Sequence, residues 1–416
     1  MMRRVLLSLS LALVATFAAS ARAAEFRAGR PFLLAYDMNT GLLCVAEVTE
    51  TGAFVRSFGA GFAMDAATSL QFMPDGSLIV LCGSYNLGYV FNAAGKLTGT
   101  MTLSASSSGG STLSRRGWLY FAEPAEDALV ERRSGITSKT YVSSHGADAP
   151  FDLELDSADR LVYSSLGTDR IMRIDSAAGT AETLGDDTTT ANVTQLAVTR
   201  DDDIFALRAG SDLLALVRAD GVTTDVVDIA AVAASDITIA PDGTVAVLSR
   251  DTNEIVHVDP ETKSVARRVE FPDHLYAYLL AYAPAHFDAK VKSVMQPNDD
   301  ELPPVVTNIK GARFTMDAGR GCVTLSIPSN YAFDHQLPTF FQNSVTLRLQ
   351  PGFSAGKPLP TSGFGSTSGG YFSMATEITS KAGKPGNPQV TRMKGALDFY
   401  GIDAAHLEFT TTKRRK

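Results

Sequence analysis

A unit of four short apolar segments recurs along most of this chain, and its regular spacing restricts the possible folds more than any other feature. The clearest copy covers residues 234–271, where β-branched segments are separated by turns such as Pro241-Asp242-Gly243. By subtraction of positions, the first apolar residue after the equivalent turn recurs at intervals of 41, 42, 43 and 41 residues. Those residues are Leu78, Leu119, Leu161, Ile204 and Val245. The spacing predicts a repeat protein in which each copy forms one small antiparallel sheet.

The number of copies follows from the first one, which is incomplete. Residues 32–36, 42–48 and 54–58 supply three strands, and no first strand precedes Pro31. Residues 276–282 form one extra apolar segment after the last complete copy. Because a ring with an open seam exposes unpaired strand edges, we expect this late strand to complete the first copy. The sequence therefore predicts an all-β chain with a six-bladed β-propeller over residues 31–284.

Short motifs within the repeat resemble a known family. The stretch Thr51-Gly52-Ala53-Phe54-Val55-Arg56-Ser57-Phe58-Gly59 resembles the end of an NHL repeat. The Pro-Asp-Gly turns, with Arg-Ile or Glu-Ile in the third strands, are similar to those of NHL and gluconolactonase-like six-bladed propellers. The resemblance covers about residues 31–284 and implies the propeller fold. It also implies which residues an enzyme site of this kind would contain, because the gluconolactonase-like enzymes hold calcium with a Glu, two Asn and an Asp.

The first residues carry the pattern of a secretory signal peptide. Arg3 and Arg4 precede an apolar run at residues 5–19, and Ala21-Arg22-Ala23 provides a small-residue cleavage site. The run is shorter than the roughly 18 apolar residues that a membrane anchor requires, and no later segment is long and apolar enough. We expect residues 1–23 to be removed and the protein to be exported, to the periplasm or the extracellular space.

The repeat ends before the last third of the chain. Residues 285–304 have linker composition, with Gln296-Pro297-Asn298-Asp299-Asp300 followed by Pro303-Pro304. Beyond them, apolar and polar residues alternate, as in Val323, Leu325 and Ile327. Such alternation indicates antiparallel sheets with one buried face. We therefore predict a small β-sandwich domain over residues 305–416 with a basic C-terminal tail.

Charge is divided between the two predicted domains. Residues 305–416 contain 13 Lys and Arg against 6 Asp and Glu, a net charge of +7, and residues 24–304 contain 21 against 39, a net charge of −18. A basic module beside an acidic one can bind an anionic polymer or dock on its own propeller. The alternative is two solvated surfaces that have no partner.

The predicted channel of the propeller is the place to look for chemistry. The residues that start the innermost strands are Ser69, Gly110, Asp152, Gln195 and Asp236. Asp152 and Asp236 could share a calcium ion with Gln195, since calcium accepts carboxylate and amide oxygens. Calcium requires six or more oxygens, however, and this ring has neither the Glu nor the Asn of the gluconolactonase-like enzymes. We expect no metal and no cofactor.

Histidines and cysteines give weaker indications. His145 is the one histidine expected near the channel mouth, and without a second His or Cys it makes a poor zinc site. His257 lies in a third strand and is expected at the surface. Cys44 and Cys82 fall in neighbouring blades and are the only pair considered for a disulfide, but buried unpaired thiols are the favoured state. No Gly-rich phosphate loop precedes a helix, so nothing indicates nucleotide binding.

These observations favour an exported, non-enzymatic binding protein. In this hypothesis the propeller presents its loops to a protein or an anionic polymer, and the second domain tethers or orients it. The alternative is a calcium-dependent hydrolase or lyase, gluconolactonase-like, that works in the channel at Asp152, Gln195 and Asp236.

Overall fold

The computed structural model shows a propeller followed by a second β-sheet. It describes 21 stretches of the chain, with side chains for most of their residues up to 284 and the strands beyond as backbone. The stretches are residues 26–65, 67–73, 76–103, 109–113, 119–133, 136–141, 148–158, 160–175, 180–185, 192–199, 201–208, 213–222, 224–229, 233–295, 305–317, 322–326, 344–348, 358–367, 370–381, 392–400 and 405–411. The predicted signal peptide lies outside them. Within them, no helix is long and apolar enough to cross a membrane.

Residues 31–282 form six four-stranded antiparallel sheets, which we number as blades 1 to 6. Blade 1 contains β1 (Pro31–Asp37), β2 (Leu42–Val48) and β3 (Phe54–Phe58); blade 2 contains β4 (Ala67–Phe72), β5 (Leu78–Cys82), β6 (Leu87–Phe91) and β7 (Leu97–Thr102). Blade 3 contains β8 (Ser111–Leu113), β9 (Leu119–Glu123), β10 (Ala128–Arg133) and β11 (Ile136–Tyr141); blade 4 contains β12 (Pro150–Leu155), β13 (Leu161–Ser165), β14 (Arg170–Asp175) and β15 (Thr180–Leu184). Blade 5 contains β16 (Val193–Val198), β17 (Ile204–Arg208), β18 (Leu213–Val217) and β19 (Thr224–Asp228); blade 6 contains β20 (Ala234–Ile239), β21 (Val245–Ser249), β22 (Glu254–Asp259) and β23 (Ser264–Glu270).

The fourth strand of blade 1 is β24 (Leu275–Tyr282), which follows blade 6 in the chain. It pairs with β1 in antiparallel fashion, with Phe32 opposite Ala281 and Asp37 opposite Leu275. The two ends of the ring are thereby joined within a single sheet. The predicted six-bladed propeller, closed by a late strand, is confirmed.

The core of the propeller is a series of apolar layers between neighbouring blades. The second strands are buried at every position in blades 2, 3, 4 and 6, because the blades on both sides cover them. The outermost strand β23 is exposed at six of its seven positions. Between blades 1 and 2 the layer is aromatic, and Phe26 packs edge-on against Phe32 with 4.8 Å between ring centroids. Cys44 and Cys82 are buried free thiols in the core, as the sequence favoured.

The loops of each blade point to two opposite ends. We call upper the face with the loops that join neighbouring blades and those between second and third strands. The lower face carries the loops between first and second strands and between third and fourth strands. Two short 3-10 helices, Gly83–Tyr85 and Pro124–Glu126, belong to the upper face. The chain enters and leaves the propeller at the lower face, where Gly29 N–H donates to the Ala283 carbonyl at 2.8 Å.

Residues 285–411 form one further antiparallel sheet of eight strands, in the order β28-β27-β26-β25-β32-β31-β30-β29. The strands are β25 (Ala285–Met295), β26 (Val305–Asp317), β27 (Cys322–Ser326), β28 (Ser344–Arg348), β29 (Pro358–Thr367), β30 (Gly370–Lys381), β31 (Arg392–Tyr400) and β32 (Ala405–Thr411). The second domain is thus β-structured. Its arrangement as a sandwich stays a prediction, since side-chain packing in this sheet lies outside what the structure describes.

The predicted linker at residues 285–304 needs a correction. Its first half is β25, which pairs with β26 on one side and with β32 on the other. The alternation of Phe287, Ala289 and Val291 with charged residues indicates a half-buried strand. The Pro- and Asp-rich composition on which the linker prediction rests begins only at Gln296. Only Ala283 and Pro284 separate β24 from β25. The connection between the two sheets is therefore short.

Removal of β24 should unfold the propeller. A chain that ends at Asp273 lacks β24, so β1 loses its partner and the apolar layers on either side of blade 1 lose their inner wall. A chain that ends at Pro284 keeps this strand and should melt cooperatively. Circular dichroism with thermal melting distinguishes the two, and a cooperative transition in the shorter chain would contradict closure by β24.

The second sheet should require β25. A fragment of residues 285–416 contains all eight strands and should be β-rich by circular dichroism when expressed alone. A fragment of residues 305–416 lacks the strand that lies between β26 and β32, which should divide the sheet into two parts with exposed edges. Equal stability of the two fragments would show that β25 is dispensable.

Candidate functional site

The residues predicted to start the innermost strands occupy equivalent places around the channel. Ser69, Gln195 and Asp236 each pair with the fourth residue of their second strand, directly after a bulge in the inner strand. Gly110 accepts from Ala122 N–H at 3.1 Å, and Asp152 N–H donates to Ser164 Oγ at 3.1 Å. The sequence alignment of the blades is therefore correct at these five positions.

Both channel aspartates join their own blade to the next one. Asp152 Oδ2 accepts from Leu196 N–H at 2.7 Å, and Asp236 Oδ2 accepts from Leu280 N–H at 2.6 Å. In each pair the donor lies 44 residues further along the chain, on the inner strand of the following blade. Asp236 Oδ1 also accepts from Ile237 N–H at 2.9 Å. The carboxylates therefore satisfy backbone donors between blades 4 and 5 and between blades 6 and 1.

The interface between blades 2 and 3 repeats this contact with hydroxyl groups. Ser111 Oγ donates to Ser69 Oγ at 2.7 Å, and both residues are buried. Between blades 3 and 4, Gly110 N–H donates to the Phe151 carbonyl at 2.6 Å. A Cβ atom on Gly110 would lie 1.8 Å from Asp152 Oδ1, so this close approach requires glycine. Gln195 occupies the equivalent place in blade 5 and is half-buried.

Burial dominates the electrostatics of the channel. It raises the pKa of Asp236 to about 7, against the opposing effect of the Leu280 and Ile237 N–H groups. Burial also raises the pKa of Asp152 well above its usual range, and the nearby Glu154 carboxylate adds to this effect. Glu154 Oε2 in turn accepts from Thr112 Oγ1 at 2.9 Å. A carboxylate whose pKa is near neutrality can gain a proton within the physiological range.

The described channel residues supply few free oxygen positions for a calcium ion. Calcium takes six to eight oxygen ligands. Both oxygens of Asp236 and one oxygen of Asp152 accept backbone N–H groups. Among the residues with described side chains, no group of three or more His, Cys, Asp or Glu is arranged to hold a metal. His145 lies outside the described residues.

His257 is buried, and its predicted surface position is wrong. The side chain is 2% exposed and lies between blade 6 and the end of β24. Nδ1 is 2.8 Å from Thr244 Oγ1 and 3.0 Å from Arg267 Nη2, and Nε2 is 3.2 Å from Tyr282 OH. Burial, assisted by the Arg267 charge, lowers the pKa of His257 to about 4. The imidazole is therefore a neutral structural contact near the exit of the chain from the propeller.

Exposed apolar side chains gather on the upper face of blades 1 and 2, which sequence analysis missed. Met38 is 58% exposed, Leu42 and Tyr85 are each 44% exposed, Tyr36 is 40% exposed and Phe62 is 37% exposed. We call these five residues the aromatic patch. The repeat places them at loops and strand ends, where a period-2 pattern carries no signal. Only the assignment of each loop to a face could have found them.

The loops of the upper face are acidic. Within their described residues, six carboxylates are exposed and the only Lys or Arg is Arg250. The six are Asp65, Glu126, Asp148, Asp169, Asp251 and Asp273. Arg250 lies over the Tyr276 ring, with Cζ 5.3 Å from the centroid. On the lower face, by contrast, acids are paired with bases, as in the contacts of Arg160 with Asp156 and of Arg218 with Asp203.

The raised pKa of Asp236 should make the propeller less stable as pH increases. In the unfolded chain the carboxyl titrates near 4, so the folded state gains stability from the bound proton at low pH and loses it as pH rises through about 7. The melting temperature should therefore fall between pH 5.5 and 8.5.

The Asp236→Asn variant carries no titrating charge and should show a smaller fall. The variant loses one acceptor for a backbone N–H, so its free energy of unfolding should be about 1 kcal/mol lower than that of the parent at pH 5.5. At pH 8.5 this difference should disappear, because only the parent is destabilised by the higher pH. Parallel pH profiles of the variant and the parent would contradict the assignment. The matched control is Asp220→Asn, which lies on the lower face and is exposed.

Comparison with known proteins supports the fold alone. No protein-family model and no curated protein matches the chain. Of the solved structures, the Nidogen/Laminin complex contains a chain that is 13% identical, with 61% of this chain and 98% of that chain covered at a TM-score of 0.51. A virginiamycin B lyase from Staphylococcus aureus in complex with Quinupristin is 11% identical, with 82% of this chain and 94% of that chain covered at a TM-score of 0.43. The chain therefore has the β-propeller fold.

Proposed function

We propose that the protein is an exported, non-enzymatic binding protein that receives a protein partner on the upper face of its propeller. The aromatic patch carries this proposal. Isolated exposed apolar residues are ordinary on a soluble protein, but five of them on one face of two neighbouring blades favour an interaction surface. Tyr, Phe and Met are also the residue types enriched at the centres of protein interfaces.

The rest of the upper face supports a protein partner over an anionic polymer. The loops of the upper face carry six exposed carboxylates, which would repel a polyanion. The aromatic residues are held in place by neighbouring contacts, such as the Tyr85 hydroxyl that donates to Asp65 Oδ2 at 3.0 Å. A fixed side chain loses little conformational entropy when a partner binds.

The channel gives less support to the alternative, a calcium-dependent hydrolase or lyase. Asp152 and Asp236 are 7% and 8% exposed, and their oxygens already accept N–H groups that would otherwise be buried without partners. Transfer of these oxygens to a metal would leave the donors unsatisfied, at a cost of about 1–3 kcal/mol for each. The role of these aspartates in this proposal is to join blades.

Propellers are used for many functions, so fold-level likeness is a weak guide. The propeller chain similar to this one was solved in a complex of nidogen with laminin. That complex is an example of a propeller with a protein partner. The proposal rests on the residues of the upper face.

Photocrosslinking from within the full chain tests the proposal. A photoreactive amino acid at Met38, the most exposed residue of the aromatic patch, should give a discrete adduct with one protein in the cells of origin. The matched position is Val222, which is 78% exposed and lies on the lower face. The pair of substitutions Tyr36→Ser and Tyr85→Ser should reduce the Met38 adduct at least about fivefold, because interface aromatic residues contribute most to binding.

Three results would contradict the proposal. They are no adduct from Met38, the same adducts from Val222, or an adduct that persists in the doubly substituted chain. Metal dependence provides a separate check. A rise in melting temperature with calcium that disappears in the Asp152→Asn, Asp236→Asn variant would favour the hydrolase instead.

A further inference from the structure

We propose that the partner of the upper face is the basic segment Lys413-Arg414-Arg415-Lys416 of a second copy of this chain, so that copies associate head to tail. This inference rests on the function proposed above, since it names the occupant of the same surface. It follows from the charge and chemistry of the upper face and from the reach of the segment.

The upper face has the chemistry that recognises Lys and Arg. Asp251 and Asp273 are exposed in loops next to blade 1, and Asp65 lies in the loop from blade 1 to blade 2. These carboxylates flank the exposed rings of the aromatic patch. Arginine stacks on aromatic rings and binds carboxylates through two parallel hydrogen bonds, and both kinds of partner occur here. The contact of Arg250 with Tyr276 shows one such stack already formed on this face.

The charges of the two parts of the chain are complementary. With the boundary placed at β25, residues 24–284 contain 19 Lys and Arg against 35 Asp and Glu, a net charge of −16. Residues 285–416 contain 15 against 10, a net charge of +5. Four of those 15 cations are consecutive, at residues 413–416. This is the highest local density of positive charge in the chain.

The segment starts from the lower face of its own propeller, at the opposite end from the upper face. Thr411 at the end of β32 pairs with Ala289, only six residues after Ala283, which is fixed at the lower face by hydrogen bonds to Gly29 and Arg30. The path runs along β25 from Ala285 to Ala289, crosses one strand spacing to Thr411 in β32, and continues to residue 416. Its full length is at most about 35 Å. A path around the outside of the blade needs about 15 Å across three strand spacings and about 26 Å along eight strand residues. This total of roughly 40 Å is more than the backbone of this stretch spans.

The upper face of another molecule has no such restriction. A contact between two different surfaces, one on each copy, is heterologous and leaves an unused face and an unused segment at the two ends of the assembly. Association should therefore increase with concentration and continue beyond a dimer, unless several copies close into a cyclic assembly. Because the contact is largely electrostatic, it should weaken as salt shortens the screening length from about 10 Å at 0.1 M to about 3 Å at 1 M.

Complementation between two variants tests the inference. The segment variant carries K413Q, R414Q, R415Q and K416Q, and the face variant carries D65N, D251N and D273N. Each should be monomeric by sedimentation velocity in 20 mM salt, where the parent should associate. A mixture of the two should form a dimer of one copy of each, because one supplies the intact face and the other the intact segment. In 1 M salt the parent and the mixture should both be monomeric.

A third variant controls for general effects of charge. Asp201→Asn, Asp220→Asn and Glu261→Gln remove three exposed carboxylates from the lower face of blades 5 and 6, so the net charge matches that of the face variant. Its association should equal that of the parent, whereas that of the face variant should be at least about tenfold weaker, as expected for loss of close charge pairs.

The inference is overturned if the parent is monomeric at low salt, if the mixture stays monomeric, or if the lower-face control dissociates as the face variant does. These results can be separated from failure of the proposed function. If the parent is monomeric but Met38 still gives an adduct with a different protein, the second copy is not the partner. The upper face is then still a binding surface, as the proposed function states. A Met38 adduct between two copies of this chain supports both.

Discussion

The pairing of β24 with β1 is the constraint on which the rest of this structure depends. Each blade buries its apolar faces only against its two neighbours, so an open ring would leave two such faces in water. The antiparallel register from Pro31 opposite Tyr282 to Asp37 opposite Leu275 places the last inner strand where the first blade needs it. The apolar layers on both sides of blade 1 include residues of β24, such as Leu279 and Leu280. Closure and core formation are therefore one event.

Side chains that line the channel satisfy backbone hydrogen-bond donors of the inner strands. Inner strands have no further strand on their channel side, so some backbone N–H groups lack a partner in their own sheet. Asp152 and Asp236 accept two of these donors from the following blades. A carboxylate is a strong acceptor, but its burial is costly, and the raised pKa values record that cost. Serine hydroxyls make the equivalent contact between blades 2 and 3 without a charge.

Much of this architecture could be predicted from the sequence because turns and strands repeat with a fixed spacing. The alignment placed Ser69, Asp152 and Asp236 in equivalent positions, and the structure agrees. Tertiary contacts decided the rest. His257 is buried because Arg267, Thr244 and Tyr282 surround it, and those partners lie on different strands. Residues 285–295 form a strand, whereas the composition that predicts a linker begins only at Gln296. The aromatic patch is assembled from loops of two blades, which no local pattern reveals.

The position of the two chain ends at the lower face has a mechanical consequence. Arg30 and Ala283 are neighbours, linked by a hydrogen bond of 3.0 Å from Ala283 N–H to the Arg30 carbonyl. Tension applied to the segments before β1 and after β24 would open the pair from this end and break its hydrogen bonds one after another. Strands pulled apart in this way resist less than strands sheared along their length, where all the bonds are loaded together. The seam that holds the ring closed at rest is therefore also the place where a pulling force would begin to unfold it.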